Sequence, residues 1–293
     1  MRSHLRRLAI LLLLALPGLW GCAAATGFLP SAVQPAASIA ATGATKAVQA
    51  SREISDSEEY YVGRAVAARI LSTYPLYRNL AVTEYVNEVG QTVARKSPRP
   101  NTFKGYHFAV LDTEELNAFA CPGGTIFITR GLLATCANED ELAAVLAHEV
   151  THVVDKDGIN SISKARWTQV VTSMGAEAAR QYGGVAGNLV NLFEGSIDDV
   201  FKALVVNGYS RSAEYAADAG SVKILTAAGY DPGALAAVLA KMQPKEKAGV
   251  SGFSKTHPPA SERLAKVKGA AREVAPSAAE VNRTQRFQKI VKV

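Results

Sequence analysis

Residues His148, Glu149 and His152 spell HExxH within the stretch AHEVTHVVDKD. On an α-helix, positions i and i+4 share one face about a turn apart, so the two imidazoles can grip one ion. Glu149 stands beside them, placed to reach a water on that ion rather than the ion itself. The chemistry is metal-assisted hydrolysis, although so short a pattern also occurs by chance in unrelated helices. Catalytic zinc takes three protein ligands and keeps one position open, so the chain must supply a third.

Metzincins would need a glycine and a histidine at the positions that here hold Asp155 and Gly158, which excludes that class. Gluzincins instead take a glutamate from a later helix, and Glu177, Glu194 and Glu214 are available. Glu177 stands nearest to the thermolysin-like spacing but has no acid one turn on. Glu214 has Asp218 at i+4 on the same face, suited to accept a hydrogen bond from a ligand histidine and fix its tautomer. Around them Ala213, Ala216, Ala217 and Ala219 mark a closely packed helix. Glu214 is therefore the expected third ligand. No CxxC spacing occurs, so cysteine is not expected to bind the metal.

The motif needs elements to hold it. Asn138 can cap its helix, with Glu141 in the capping-box position. Leu142, Val145, Leu146, Val150, Val153 and Val154 make the helix largely apolar, so it should be buried, a costly place for charged groups without partners. Upstream, alternation in YHFAVLDT and TIFIT predicts strands. Between them a strand over 117–120 should turn through Pro122, Gly123 and Gly124 into a strand over 125–129, followed by a short helix over 130–135. Helices are expected from a cap at Ser55 or Ser57 and over 81–96. Beyond the motif, 160–207 reads as helices and loops covering a cleft. A helix capped at Ser210 or Ser212 then runs to Gly229, another covers 232–242, and the loop SGFSKTHPPASERL follows. The fold class is α+β, mainly helical with a small sheet.

The outer segments carry different signals. A basic start followed by nine apolar residues, Leu8 to Leu16, is too short to span a bilayer and has the layout of a secretory signal over 1–21. It ends in LWGC, which resembles a bacterial lipobox, so lipidation at Cys22 is expected. The Ala-, Ser- and Pro-rich stretch to residue 50 reads as a flexible tether. A catalytic domain over 51–270 and a peripheral tail over 271–293 complete the expected layout. Removing Arg2, Arg6 and Arg7 with the signal reduces the formal charge from +6 to +3. With no aromatic-interleaved basic stripe, nucleic acid is not an expected partner. Cys121 and Cys136 could pair only if their geometry allows it.

HEVTH, RSAEYAADAG, THPPASER and LNAFACPGGTIFITRGLL together resemble the zinc metallopeptidase family of HtpX and the CAAX prenyl endopeptidases. The likeness is strongest to its soluble periplasmic lipoprotein branch, of BepA and LoiP type. The resemblance implies a gluzincin domain with one Zn2+ per chain on His148, His152 and Glu214, Glu149 as general base, and Asp218 behind a ligand. It places His257 near the metal, assisting the reaction or plugging the open position, with Arg263 near the same site. It makes NAFA the edge strand that receives substrate through Asn117, Ala118 and Phe119, an extended peptide adding as a further strand. Many relatives carry histidine where this chain has Asp157, a departure that leaves the ligand set intact. His107, inside a strand, is expected to be structural. The implied activity is endopeptidase cleavage of misfolded or unassembled envelope proteins at the outer membrane's periplasmic face. Its implied attachment is the lipid anchor alone, and outer-membrane assembly machinery is an implied partner. A chaperone-like assembly factor that binds without cleaving is the competing expectation, which an intact Glu149 argues against.

Overall fold

The computed structural model describes residues 54–162, 197–247, 256–270 and 277–292. The signal segment, Cys22, the tether and the alternative ligands Glu177 and Glu194 lie outside the described residues.

Helix α1 (Asp56–Thr73) begins at Ser55, whose side chain and Glu58 form a reciprocal capping box, with three acids in the first turn interacting favourably with the helix dipole. Helix α2 (Leu80–Ala94) is capped by Asn79 and buries Val82, Val86, Val89 and Val93 as one stripe. Strands β1 (His107–Leu111), β2 (Ala118–Cys121) and β3 (Thr125–Thr129) form a sheet ordered β1-β3-β2. β1 runs parallel to β3 and β2 antiparallel to it.

Strand alternation sorts side chains between two cores. Phe108, Val110, Ala118, Ala120, Ile126 and Ile128 face the cluster that includes α2. Leu111, Phe119, Cys121 and Phe127 face the cluster that includes α1. Helices on both faces explain why all four β2 residues are buried although β2 is an edge strand. β2 starts one residue later than the pattern predicts: Asn117 still accepts the Thr129 N–H, but donates its own N–H to the Thr129 hydroxyl instead of completing the backbone pair. The turn from β2 into β3 passes through Gly123 at φ 75°, a left-handed conformation. It is also where α1 comes closest, since a Cβ at Gly63 would lie 1.8 Å from the Pro122 carbonyl oxygen.

After the short helix α3 (Arg130–Leu133), α4 (Glu139–Val154) carries HExxH, and every residue from Glu139 to Val153 is buried. Asn138 caps it as expected, but the Glu141 carboxylate accepts the Ala137 N–H, one residue earlier than a capping box requires. Glu141 also holds Lys241 at 2.6 Å. A short α5 (Asp157–Asn160) follows, and later a π-helical turn at Ala203–Asn207 packs against β2, placing Leu204 in the cluster with Phe119. Helix α6 (Arg211–Ala228) starts at the Ser210 cap and ends at Gly229 in the left-handed conformation. It crosses close over α4, because a Cβ at Gly220 would meet Thr151 Cγ2 at 2.5 Å. Helices α7 (Ala234–Lys247) and α8 (Ala260–Val267) pack on each other, and α7 also packs on α4.

The segment expected to be a peripheral tail contains helix α9 (Ala278–Ile290), with Phe287 buried in the main core. Its Arg286 makes two hydrogen bonds to Glu139 and its Arg283 two to Asp140, both acids lying buried in the first turn of α4. Cys121 and Cys136 are both buried free thiols. Among the described residues no helix is long and apolar enough to cross a membrane.

Candidate metal centre

Helix α4 presents His148 and His152 one turn apart, with their Nε2 atoms converging to 3.1 Å. Helix α6 brings Glu214 opposite them, its Oε2 3.6 Å from His148 Nε2 and its Oε1 3.5 Å from His152 Nε2. From the segment before α8, His257 approaches Glu214 with Nδ1 2.7 Å from Oε2. One donor atom from each of these four buried residues lies within 4.8 Å of the others. The sequence thus predicted three members of the cluster from spacing, and the resemblance supplied the fourth.

The donor set fits a metal ion. Two imidazoles and a carboxylate are one of the donor sets found in catalytic metal sites. Oε1 of Glu214 and Oε1 of Glu149 are both buried with no hydrogen-bond partner. Such groups are costly unless something satisfies them, and a cation with its water would satisfy both.

Behind the cluster the second nitrogens of the histidines face carboxylates. His148 Nδ1 lies 3.0 Å from Asp218 Oδ1. Asp218 is itself gripped by Arg263, whose Nε and Nη2 donate at 3.0 and 2.6 Å. Arg263 is fully buried, so α8 inserts a guanidinium into the core where the Asp218 carboxylate can neutralise it, with Nη2 also 3.2 Å from His148 Nδ1. Asp218 therefore stands where the i+4 spacing predicted, and Arg263 holds that aspartate while lining a small cavity with His148 and Glu149. His152 Nδ1 donates to Asp157 Oδ2 at 2.8 Å. That aspartate looked incidental in the sequence.

The charges follow from these contacts. Burial and the Arg263 charge disfavour a proton on His148, but the hydrogen bonds its ring donates to Asp218 and Glu214 outweigh them and push its pKa up to about 9 in the metal-free site. Burial would raise Glu214, yet the charge of His257 and the hydrogen bonds to His148 and His257 hold it well below the usual carboxylate range. Asp218 is likewise held low against its burial, by the His148 hydrogen bond and the Arg263 charge. Burial lowers His257, opposed by Glu214.

The expected substrate strand has its side chains buried, with Asn117 Oδ1 3.5 Å from the hydroxyl of Thr256, next to His257. Asn117 is buried, and its main-chain N–H and C=O are both bonded to Thr129. The Phe119 side chain is wholly buried, its ring 5.7 Å from that of Tyr74. His107 is exposed on β1, its ring bonded to the Lys104 carbonyl. Tyr209 was not singled out by the sequence reading, yet its ring lies 4.7 Å from that of His152 and its hydroxyl is buried without a partner. Its one sequence signal is an aromatic residue immediately before the Ser210 cap.

A family model described as peptidase family M48 matches residues 80–271, a span containing every residue of this cluster. The chain is 26% identical over 234 residues to the beta-barrel assembly-enhancing protease of Escherichia coli strain K12, covering 76% of this chain and 46% of that protein. To the protein of the same name in Yersinia pestis it is 24% identical over 245 residues, covering 81% and 49%. The mitochondrial metalloendopeptidase OMA1 of Schizosaccharomyces pombe is 31% identical over 156 residues, covering 52% of this chain and 42% of that one. The chain spans about half the length of the beta-barrel assembly-enhancing proteases it matches.

Proposed function

This chain belongs to peptidase family M48, and on that premise we propose that it is a zinc-dependent endopeptidase of the bacterial cell envelope that cleaves misfolded or unassembled envelope proteins. The observation that carries the reading is the convergence of His148, His152 and Glu214 donors within 4.8 Å, with the unpartnered Glu149 carboxylate oxygen beside them.

His148, His152 and Glu214 would hold one zinc ion, which supplies Lewis acidity toward a water and a peptide carbonyl. Glu149 takes the proton of the attacking water and passes it to the departing amine. The backbone of β2 aligns an extended substrate beside the sheet. His257, whose Nδ1 lies 2.7 Å from Glu214 Oε2, either blocks the open position in the resting enzyme or supports the developing oxyanion. Asp218 and Arg263 hold His148 from behind. Attachment through a lipidated Cys22 at the periplasmic face of the outer membrane accompanies this reading. The names of the beta-barrel assembly-enhancing relatives favour substrates among outer-membrane proteins and contact with their assembly machinery.

The test is Glu149→Gln. The variant should retain stoichiometric zinc and lose peptide cleavage by at least about a hundredfold, the usual contribution of a general base. Undiminished cleavage of casein or of an unfolded outer-membrane protein would overturn the assignment. Rescue of outer-membrane protein assembly by this inactive variant would instead support a chaperone.

A further inference from the structure

We propose that Asp157 is a positioning residue of the metal centre, fixing the tautomer and orientation of His152 as Asp218 does for His148. The inference rests on the reading of the cluster as a metal site and adds a residue that neither the motif nor its spacing marks.

Three features of the chain converge on it. Both ligand histidines turn Nε2 inward, to 3.1 Å from each other, so both must satisfy Nδ1 on the outside. For His152 the partner is Asp157 Oδ2 at 2.8 Å, with the histidine side chain 1% and the aspartate side chain 14% exposed. A histidine whose Nδ1–H is held by a carboxylate presents a basic, correctly aimed Nε2.

The contact also requires a break in the chain. In a continuous helix of 3.6 residues per turn, residue i+5 points about 140° away from residue i. Asp157 could not meet His152 on such a helix. Helix α4 ends at Val154, and Lys156 adopts φ 56°, the one non-glycine residue with positive φ among the described residues. A left-handed residue with a long side chain carries a conformational cost that surrounding structure must offset. Here that conformation turns the chain so that Asp157 returns beneath the imidazole. The Tyr209 ring, 4.7 Å from the His152 ring, closes another side. His152 is thus confined by contacts made only once the chain has left its own helix.

The experiment compares the full chain with its Asp157→Asn and Asp157→Ala variants by chelator competition for Zn2+ and by the absorption bands of the Co2+-loaded protein, alongside melting of the metal-free forms. Asp157→Ala should bind zinc about 10- to 100-fold more weakly and shift the Co2+ bands. Asp157→Asn, which keeps a hydrogen-bond acceptor without the charge, should fall between it and wild type. Metal-free melting of the Asn variant should match wild type. Zinc affinities of both variants within about twofold of wild type would overturn the proposal, as would a loss that follows metal-free stability alone. A wild-type protein that takes up no zinc would sink the metal reading itself, an outcome distinct from equal affinities.

Discussion

At the residue scale the site is a set of buried charges that are tolerable only together. Arg263 and Asp218 show this most plainly, since both are buried and joined by two hydrogen bonds. Removing one partner of such a pair leaves the other charge uncompensated, at about 3–5 kcal/mol. Arg263→Ala should therefore lower the melting temperature sharply as well as reduce activity, measured by thermal denaturation of the metal-free protein. The double change Arg263→Met with Asp218→Leu should recover much of the stability but not the activity. His257 makes an opposite prediction. It is bonded to Glu214 and its ring lies 5.5 Å from that of His148. His257→Ala should raise basal cleavage of an unfolded protein several-fold if latency is its main role, as read out with casein. A fall in kcat without that rise would assign it to oxyanion support instead.

At the element scale, the site depends on how closely α6 crosses α4. Glu214 and Asp218 sit on α6 and their histidine partners on α4, so a few tenths of an ångström between the helices changes every ligand distance. Gly220 permits the approach against Thr151. Alanine would gain about 1 kcal/mol of helix propensity, but overpacking costs about 1–3 kcal/mol, and the wall at 2.5 Å belongs to a β-branched side chain on a buried helix. The second effect should win. Gly220→Ala is expected to lower both melting temperature and zinc affinity, and Gly220→Val to lower them further. At Gly63 the neighbour at 1.8 Å is the Pro122 backbone, which has less room to give. Gly63→Ala should therefore destabilise the β2–β3 turn more than Gly220→Ala loosens the helix crossing, a ranking that denaturant midpoints would check.

Across the whole molecule, distant segments close around the N-terminal end of α4. Glu139, Asp140 and Glu141 are buried in its first turn and paired with Arg286, Arg283 and Lys241 from α9 and α7. These acids favour the helix dipole, but burial makes their partners necessary. Hydrogen bonds to charged groups contribute about 1.5–3 kcal/mol. Because Arg286 is half exposed, the lower end applies to it. The double variant Arg283→Ala, Arg286→Ala should unfold at lower denaturant while leaving metal stoichiometry at one per chain. Metal removal should act on the same scale. A ligand at about 100 times its dissociation constant stabilises by about 2.7 kcal/mol, worth roughly 5–10 °C for a domain of this size. Chelation should lower the melting temperature by that order, and Glu149→Gln should show the same drop because its ligands are intact.

Local sequence determined the elements and most of the donor set. The caps at Ser55, Asn138 and Ser210, the strand alternation and the i, i+4 pairs are short-range facts, and each carries its own signal along the chain. His148, His152 and Glu214 were legible because zinc's need for a third ligand turns one motif into a search for another. The tertiary structure decided what no spacing encodes. It set Arg263 behind Asp218, laid Tyr209 on His152, and brought the first turn of α4 against α9. Asp157 lies only five residues from His152, yet its role depends on a left-handed turn that sequence periodicity does not register. Contacts between groups distant in sequence, or near in sequence but off the helical phase, are fixed by packing, because only the folded core brings such groups together and excludes the water that would otherwise satisfy them.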